Sequence, residues 1–217
     1  MIDNICLKIL RYDNEEILEH LQDSWRRDDK TYTGHIRNMG IYISPGIIII
    51  HGSLAKFLNG ENVSTLTFGQ IEKAIRELEN ETGLSLETAI VTTVELGISL
   101  ITSEPVAKYL KLFGFPARFT RHEYAKITGV ETISYSSPTG SYQFTGYDKV
   151  QEVQSKKKQK IPESLEGKNI LRLEYKIKKR RGIKAKFRRD LTAYDLFNPI
   201  LYRKLQNLFD RGISGYT

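Results

Sequence analysis

At 217 residues, with 40% apolar and 27% charged side chains, the chain is long enough to bury a substantial core and reads as an ordinary soluble globular protein. Its longest apolar run, Ile47 to Ile50, falls far short of the ~18–20 residues of a bilayer span, and the N-terminus lacks the basic flank and long apolar stretch of a secretory signal. The one cysteine, Cys6, can close no internal disulfide, so a reducing cytoplasm is expected. Ile2 to Leu10 alternates weakly through Ile5, Leu7 and Ile9 and predicts a strand. Asn14 to Arg27 predicts a helix, with Ile17, Leu18, Leu21 and Trp25 at helical spacing behind an Asn14 cap. Tyr32 to Ile43 and Ile47 to Ser53 predict a hairpin about Ser44-Pro45-Gly46, and the nearly all-apolar second strand should be central. Gly52 to Gly60 should leave the sheet as a loop or short helix.

Thr67-Phe68-Gly69-Gln70 has the spacing of a capping box. Ile71, Ala74, Ile75 and Leu78 continue one helical face to about Asn80, with Gly83 as the stop. Ala89 to Ile101 is the strongest strand signal. Strict alternation would put Ile90, Thr92, Val94, Leu96, Ile98 and Leu100 on one face. Ala89, Val91, Thr93, Glu95, Gly97 and Ser99 would take the other. Ser103 to Phe113 predicts a short helix with Pro105 in its first turn. Tyr135 to Val150 predicts a hairpin about Ser137-Pro138-Thr139-Gly140, and Gln151 to Lys168 a polar excursion or frayed helix interrupted by Pro162. Asn169 to Lys179 reads as a strand. A C-terminal helix over about 192–210 follows, built on Leu196, Leu201, Leu205 and Leu208, with Pro199 arguing for a break. No repeat or domain boundary is visible across 1–217. The pattern predicts a single α+β domain: a largely antiparallel sheet with helices on one face and a polar catalytic face on the other.

The net charge of +7 is unevenly placed: residues 149–189 hold 16 Lys and Arg against 4 Glu. A basic belt on a mildly acidic body is the footprint of a polyanion binder, with a solvated basic face as the plainer alternative. Lys156-Lys157-Lys158 lacks the bulky apolar residues of an interfacial helix, which argues against a membrane partner.

Three strands pair an apolar face with a polar face that carries a reactive group. Glu95 stands among Thr93, Gly97 and Ser99, small neighbours that would leave room for a metal ion or a phosphate. Gln143, Thr145, Tyr147 and Lys149 share a face at period two, as do Arg172, Glu174, Lys176 and Lys178, opposite Leu171, Leu173, Tyr175 and Ile177. Were these strands neighbours, two carboxylates, a phenol and several cations would meet. That set suits metal-assisted phosphodiester transfer: carboxylates hold Mg²⁺ or Mn²⁺, and the tyrosine attacks phosphorus. Phe119, Tyr124, Tyr135 and Tyr142 are candidates for stacking on unpaired bases, with core packing as the alternative for each.

Gly52-Ser53-Leu54-Ala55-Lys56-Phe57, Asn62 to Thr67, Tyr147-Asp148-Lys149 with Glu152, and Leu171-Arg172-Leu173-Glu174 occur here in order. In these motifs the chain resembles the phage and plasmid rolling-circle replication initiators, the family of the filamentous-phage replication protein. The resemblance runs from Met1 to near Tyr202. It implies a site-specific single-strand endonuclease that nicks origin DNA, leaves a primer end, and later rejoins the displaced strand. It places Tyr147 as nucleophile, Lys149 as its companion, and Glu174 and Glu95 at a divalent ion. Where the family usually has Arg-Ile-Asp this chain reads Val94-Glu95-Leu96, so the acid is kept in kind and the arginine is absent. No His-hydrophobic-His pair occurs, and His35, His51 and His122 read as incidental. His51 would face the site only if its strand adjoined that of Glu95.

Lys56, Arg172, Lys176, Lys178, Lys179, Arg180 and Arg181 are the candidate nucleic-acid contacts, with Lys156 to Lys160 and Lys178 to Arg189 holding phosphates. The implied partners are origin DNA, single-stranded or supercoiled, and a host helicase. The alternatives are a non-catalytic DNA-binding replication control protein derived from such an initiator and, on charge alone, an RNA-binding protein.

Overall fold

The computed structural model describes residues 1–10, 15–28, 30–114, 119–123, 132–155, 163 and 166–214. Among these, ten strands form one sheet in which every pairing is antiparallel. They are β1 (Ile2–Leu10), β2 (Gln22–Asp28), β3 (Thr31–Ile36), β4 (Met39–Ser44), β5 (Ile47–Ser53), β6 (Ile90–Thr102), β7 (Thr120–Glu123), β8 (Thr132–Ser136), β9 (Tyr142–Asp148) and β10 (Asn169–Ile177). The spatial order is β2-β3-β4-β5-β1-β6-β10-β9-β8-β7. The helices are α1 (Glu15–Leu18), α2 (Leu54–Asn59), α3 (Phe68–Thr82), α4 (Val106–Leu110), α5 (Lys149–Ser155), α6 (Lys179–Phe187) and α7 (Pro199–Ser214), with a 3₁₀ turn at Tyr194–Phe197. The architecture is the α+β arrangement that the alternating strands led us to expect. No helix of the described residues is long and apolar enough to cross a membrane.

One sheet face carries the main core. Leu7, Ile48, Ile50, Val94, Leu96, Phe144, Leu173 and Ile177 are buried there beneath Ile71, Ala74 and Leu78 of α3, Ile183 of α6 and Leu201 and Leu205 of α7. The other face is open except at one end. There Val153 of α5 packs with Ile170 and Val63 in a small separate cluster, so this short helix lies opposite the others and walls the open face. The capping box forms as the spacing required: Gln70 N–H donates to Thr67 Oγ1, and Thr67 N–H donates to Gln70 Oε1 at 2.8 Å. Gly83 then ends α3 in the left-handed conformation.

Three sequence expectations change. The helix over Asn14–Arg27 is only α1, and Gln22–Asp28 instead pairs with β3, Trp25 opposite Thr33. Helical spacing was outweighed by the hydrogen bonds available at the sheet edge, and Asn14 lies outside the described residues. The single strand over Tyr32–Ile43 is a β3–β4 hairpin. Arg37 turns it with φ 51°, a backbone held in place because its guanidinium bonds Glu77 at 2.7 Å, Glu81 and the Phe57 carbonyl, and covers the Phe57 ring. The basic segment Lys178 to Arg189, for which the sequence predicts phosphate contacts and no helix, folds as α6 over Lys179–Phe187. Its only apolar signal was Ile183 and Phe187, one turn apart, with Gly182 weakening helix propensity. The break at Pro199 is present: the residue opens α7, where its missing N–H costs nothing.

Thr67→Ala should remove one half of the capping box and destabilise the protein by about 1 kcal/mol, lowering Tm by roughly 2–4 °C in a chain of this size. Thermal unfolding of the variant checks this, and an unchanged Tm would show that α3 is held by packing alone.

Candidate functional site

The site is assembled on four neighbouring strands, β1, β6, β10 and β9, at the middle of the sheet. In β10 the alternation runs as the sequence required: Arg172, Glu174 and Lys176 face one way, while Leu171, Leu173, Tyr175 and Ile177 are buried on the other. Arg172 lies opposite Ser99 of β6 and Tyr147 of β9, and Glu174 lies opposite Gly97 and Thr145. Glu95 and Tyr147 are therefore diagonal neighbours of Glu174, within reach for long side chains.

Two register slips shape this centre. Between Ile2–Leu96 and Ile5–Val94, β1 has one residue more than β6, so Asp3 and Asn4 share the place opposite Glu95. The bulge brings Asp3 onto the open face beside it. A second slip follows between Cys6–Thr93 and Leu7–Val91. It puts Val91 on the core side with Val94 and Leu96, correcting the strict alternation that placed Val91 beside Glu95.

Carboxylate oxygens of Asp3, Glu95 and Glu174 lie within 4.8 Å of one another. Each is oriented by its own donors. Ser53 Oγ donates to Asp3 Oδ1 at 2.6 Å and also caps α2 by accepting from Lys56 N–H. Arg172 donates to Asp3 Oδ2, to Glu174 Oε1 at 3.3 Å and to Ser99 Oγ at 3.1 Å. Lys176 Nζ reaches Glu95 Oε2 at 2.9 Å, and Asn4 Nδ2 donates to Glu95 Oε1. The Tyr147 hydroxyl donates to Glu174 Oε1 at 2.8 Å. Asn4, Glu95, Glu174 and Tyr147 border a cavity of about 390 Å³ whose walls also include Ser53, Lys56, Asn62 and Glu152.

Gly97 has a different purpose from the one its small size suggested. A Cβ there would lie 2.5 Å from Arg172 Nη2, so the space over Gly97 is filled by the guanidinium, not left for a ligand. Arg172, expected among the nucleic-acid contacts, is 1% exposed and presents no charge to the surface. Burial of such a cation requires partners, and Asp3 and Glu174 are those partners.

The Tyr147-Asp148-Lys149 motif is a strand-to-helix junction. Tyr147 ends the sheet on the open face, and the Asp148 carboxylate caps α5 by accepting from Val150 and Gln151 N–H at 2.9 and 3.1 Å. Lys149 is the first residue of α5 and not a strand neighbour of Tyr147, as period two had implied. It is buried, with Nζ 3.0 Å from Asn62 Oδ1, 2.9 Å from Glu152 Oε2 and 5.9 Å from the Tyr147 ring centre. Lys56 lines the cavity. Lys178 and Lys179 lie at the β10–α6 junction, Arg180 is paired with Asp190, and Arg181 donates to the Thr139 carbonyl. His51 is exposed on β5, which β1 separates from β6. Tyr135 is buried with its hydroxyl on the Phe113 carbonyl, and Tyr142 stacks on Tyr175. Phe119 is partly buried against the core. Tyr124 and Lys156 to Lys160 lie outside the described residues, as does the His122 side chain.

Charge balance explains the titration of the site. Burial, then the neighbouring Glu95 charge, push the Glu174 carboxyl up to about 7, against the pull of Arg172. Burial and the Glu174 charge raise the Tyr147 phenol well above its usual range. Burial and repulsion from Arg172 lower Lys149 to about 8. The cluster gathers three carboxyl groups beside the two cations Arg172 and Lys176, and all three are hard oxygen donors. That combination fits Mg²⁺ or Mn²⁺. Sequence reasoning missed Asp3, because only the β1 bulge and the Arg172 contact bring it to Glu95 and Glu174.

A family model described as the N-terminal part of a phage replication-associated protein matches residues 1–194. The chain belongs to that family, as its four ordered motifs had indicated. Among solved structures it is similar to one titled "Structure of Rolling Circle Replication Initiator Protein from Geobacillus stearothermophilus", with 11% identity over 85% of this chain and 76% of that one and a TM-score of 0.40. That likeness is too loose for residues to be matched. No curated protein sequence matches the chain.

Two outcomes follow from the geometry. Gly97→Ala should displace the Arg172 guanidinium and cost about 1–3 kcal/mol, the usual penalty of overpacking; unchanged denaturant unfolding would refute the close fit. A carboxyl whose pKa is raised in the folded state binds its proton more tightly there than in the unfolded chain. Stability owed to Glu174 is therefore greatest below about 4.5 and is lost as pH rises to about 7. Relative to Glu174→Gln, the native protein should lose on the order of 1–3 kcal/mol across that window, read by denaturant unfolding at several pH values without divalent ions.

Proposed function

We propose that the protein is a rolling-circle DNA replication initiator that acts as a single unit to nick one strand of origin DNA and later rejoin it through a phosphotyrosine at Tyr147. The observation that carries this reading is the 2.8 Å hydrogen bond from the Tyr147 hydroxyl to Glu174, on the rim of the Asp3, Glu95 and Glu174 cluster. A phenol that donates to a carboxylate oxygen has a proton acceptor in place. In the forward step the Tyr147 oxygen bonds to phosphorus as its proton passes to Glu174. The bond from phosphorus to the 3′ oxygen breaks, and that oxygen leaves as a hydroxyl after taking a proton from solvent. The 5′ phosphate stays on the enzyme as a tyrosine ester. Rejoining is the reverse: a 3′ hydroxyl attacks and Glu174 returns the proton to the phenol.

A divalent ion held by Asp3, Glu95 and Glu174 would polarise the scissile phosphate and offset its developing charge. Lys149, fixed by Asn62 and Glu152, holds positive charge beside the phenol and favours its ionised form. Arg172 acts from beneath by orienting Asp3 and Glu174. Lys56, Lys176, Lys178 and Lys179 supply phosphate contacts around this face, an attraction that weakens with salt, whereas Arg180 is held by Asp190 and Arg181 by the Thr139 carbonyl on the helix side.

A second reading, a DNA-binding replication control protein without nicking activity, is favoured by the 9% exposure of Tyr147 and by Val94 in place of the family's arginine. Supercoiled plasmid carrying the cognate origin, incubated with protein and Mn²⁺, separates the two. Under the first reading a covalent protein–DNA adduct forms, disappears in Tyr147→Phe, and forms about 10²–10⁴ times more slowly in Glu174→Gln. Nicking that survives Tyr147→Phe removes Tyr147 from the role, and no nicking by the native protein leaves the control protein. Mg²⁺ at about ten times its Kd should also raise stability by about 1.4 kcal/mol, an effect lost in Asp3→Asn.

A further inference from the structure

The basic belt is not a uniform surface once its partners are counted. Arg180 and Lys184 share Asp190, while Arg189 pairs with Asp195, Lys176 with Glu95 and Lys149 with Glu152. Lys186, Arg188 and Lys204 pair with no carboxylate among the described residues. Lys186 Nζ lies 4.9 Å from the centre of the Tyr142 ring, a contact that leaves its charge in place. Lys186, Arg188 and Lys204 line one cavity of about 410 Å³ between α6 and α7, with Asn207 as a further polar wall. A second cavity of about 230 Å³ shares Lys204 and Phe187 with it and continues the groove past Arg189 and Asn198.

The groove is on the helix side of the sheet, because Ile183, Leu201 and Leu205 of its two helices are buried in the same core as Val94 and Leu96. Asp3, Glu95 and Glu174 stand on the opposite side. Lys178 and Lys179, at the β10–α6 junction, continue the positive charge from Lys176 on the site face toward α6.

We propose that the α6–α7 groove binds the backbone of duplex DNA behind the sheet, while the opposite face handles the strand to be nicked. The inference rests on the chain being a DNA-binding protein, but not on strand scission. Phosphate density favours this occupant, since a duplex carries one charge per ~1.7 Å of axis. A single strand is held largely by stacking of its bases on aromatic rings, and the one ring in the groove, Phe187, is packed against the core. Backbone contacts of this kind position a duplex without reading its sequence.

The test uses the full chain without divalent ions, so that scission plays no part. Fluorescence anisotropy measures binding of an unrelated duplex of about 30 base pairs and of its single strand between about 50 and 200 mM salt. Lys186→Glu with Lys204→Glu should weaken duplex binding at least tenfold and reduce the log–log salt slope by about 1.8, two contacts' worth. Single-strand affinity should change by less than about threefold, within what a distant change of surface charge produces. Lys204→Glu alone, at an exposed helix position, serves if the double variant has a lowered Tm. Lys73→Glu with Lys111→Glu makes the same change of net charge elsewhere and should leave duplex binding nearly intact. Equal losses in both double variants, a larger loss for the single strand, or no duplex binding by the native protein would each overturn the groove. Failure of the adduct assay with these results intact would touch only the nicking reading.

Discussion

The buried Arg172 guanidinium is the contact on which the centre of this molecule depends. It lies over the bare backbone of Gly97 and ties Asp3 of β1, Ser99 of β6 and Glu174 of its own strand into one network. A guanidinium 1% exposed is tolerated only with its partners in place. The same requirement keeps the two acids pointed at each other although like charges repel. The network thus joins strand register to site geometry: a slip of β10 by one residue would send Arg172 into the apolar layer and undo both.

The division of labour between the sheet's faces follows from that arrangement. Apolar residues of β1, β6, β9 and β10 are sealed beneath α3, α6 and α7, so the rigid side of the molecule is the helical one. The open side keeps its charges near water yet half-enclosed, walled by α5 and by the Asn62 segment. Asp148 makes this wall possible. Its carboxylate starts α5 at the end of β9, which turns Lys149 away from the sheet and toward Asn62 and Glu152 while Tyr147 stays on the face. Three consecutive residues therefore do three different jobs, and the motif's compactness reflects the sharpness of the turn.

Much of the fold was legible because its signals are local. The capping box at Thr67 and Gln70, the Pro45-Gly46 turn, the alternation of β10 and the break at Pro199 each involve residues a few positions apart. The misreadings share one cause. Gln22–Asp28 carries a helical spacing but gains more from pairing with β3. Arg37 looked like the middle of a strand because the acids that hold its turn, Glu77 and Glu81, are 40 and 44 residues away. Five cations in nine residues hid α6, whose burial rests chiefly on Gly182 and Ile183.

By itself the chain determined which residue types share a strand face, where α3 begins and ends, and that acids, a phenol and cations recur at period two, since those properties follow from backbone geometry over a few residues. Tertiary structure alone decided that β1 lies between β5 and β6, that a bulge delivers Asp3 to Glu95, and that Gly97 accommodates an arginine. Asp3 and Arg172 are 169 positions apart, and no local period can encode a contact set by the order in which strands pair.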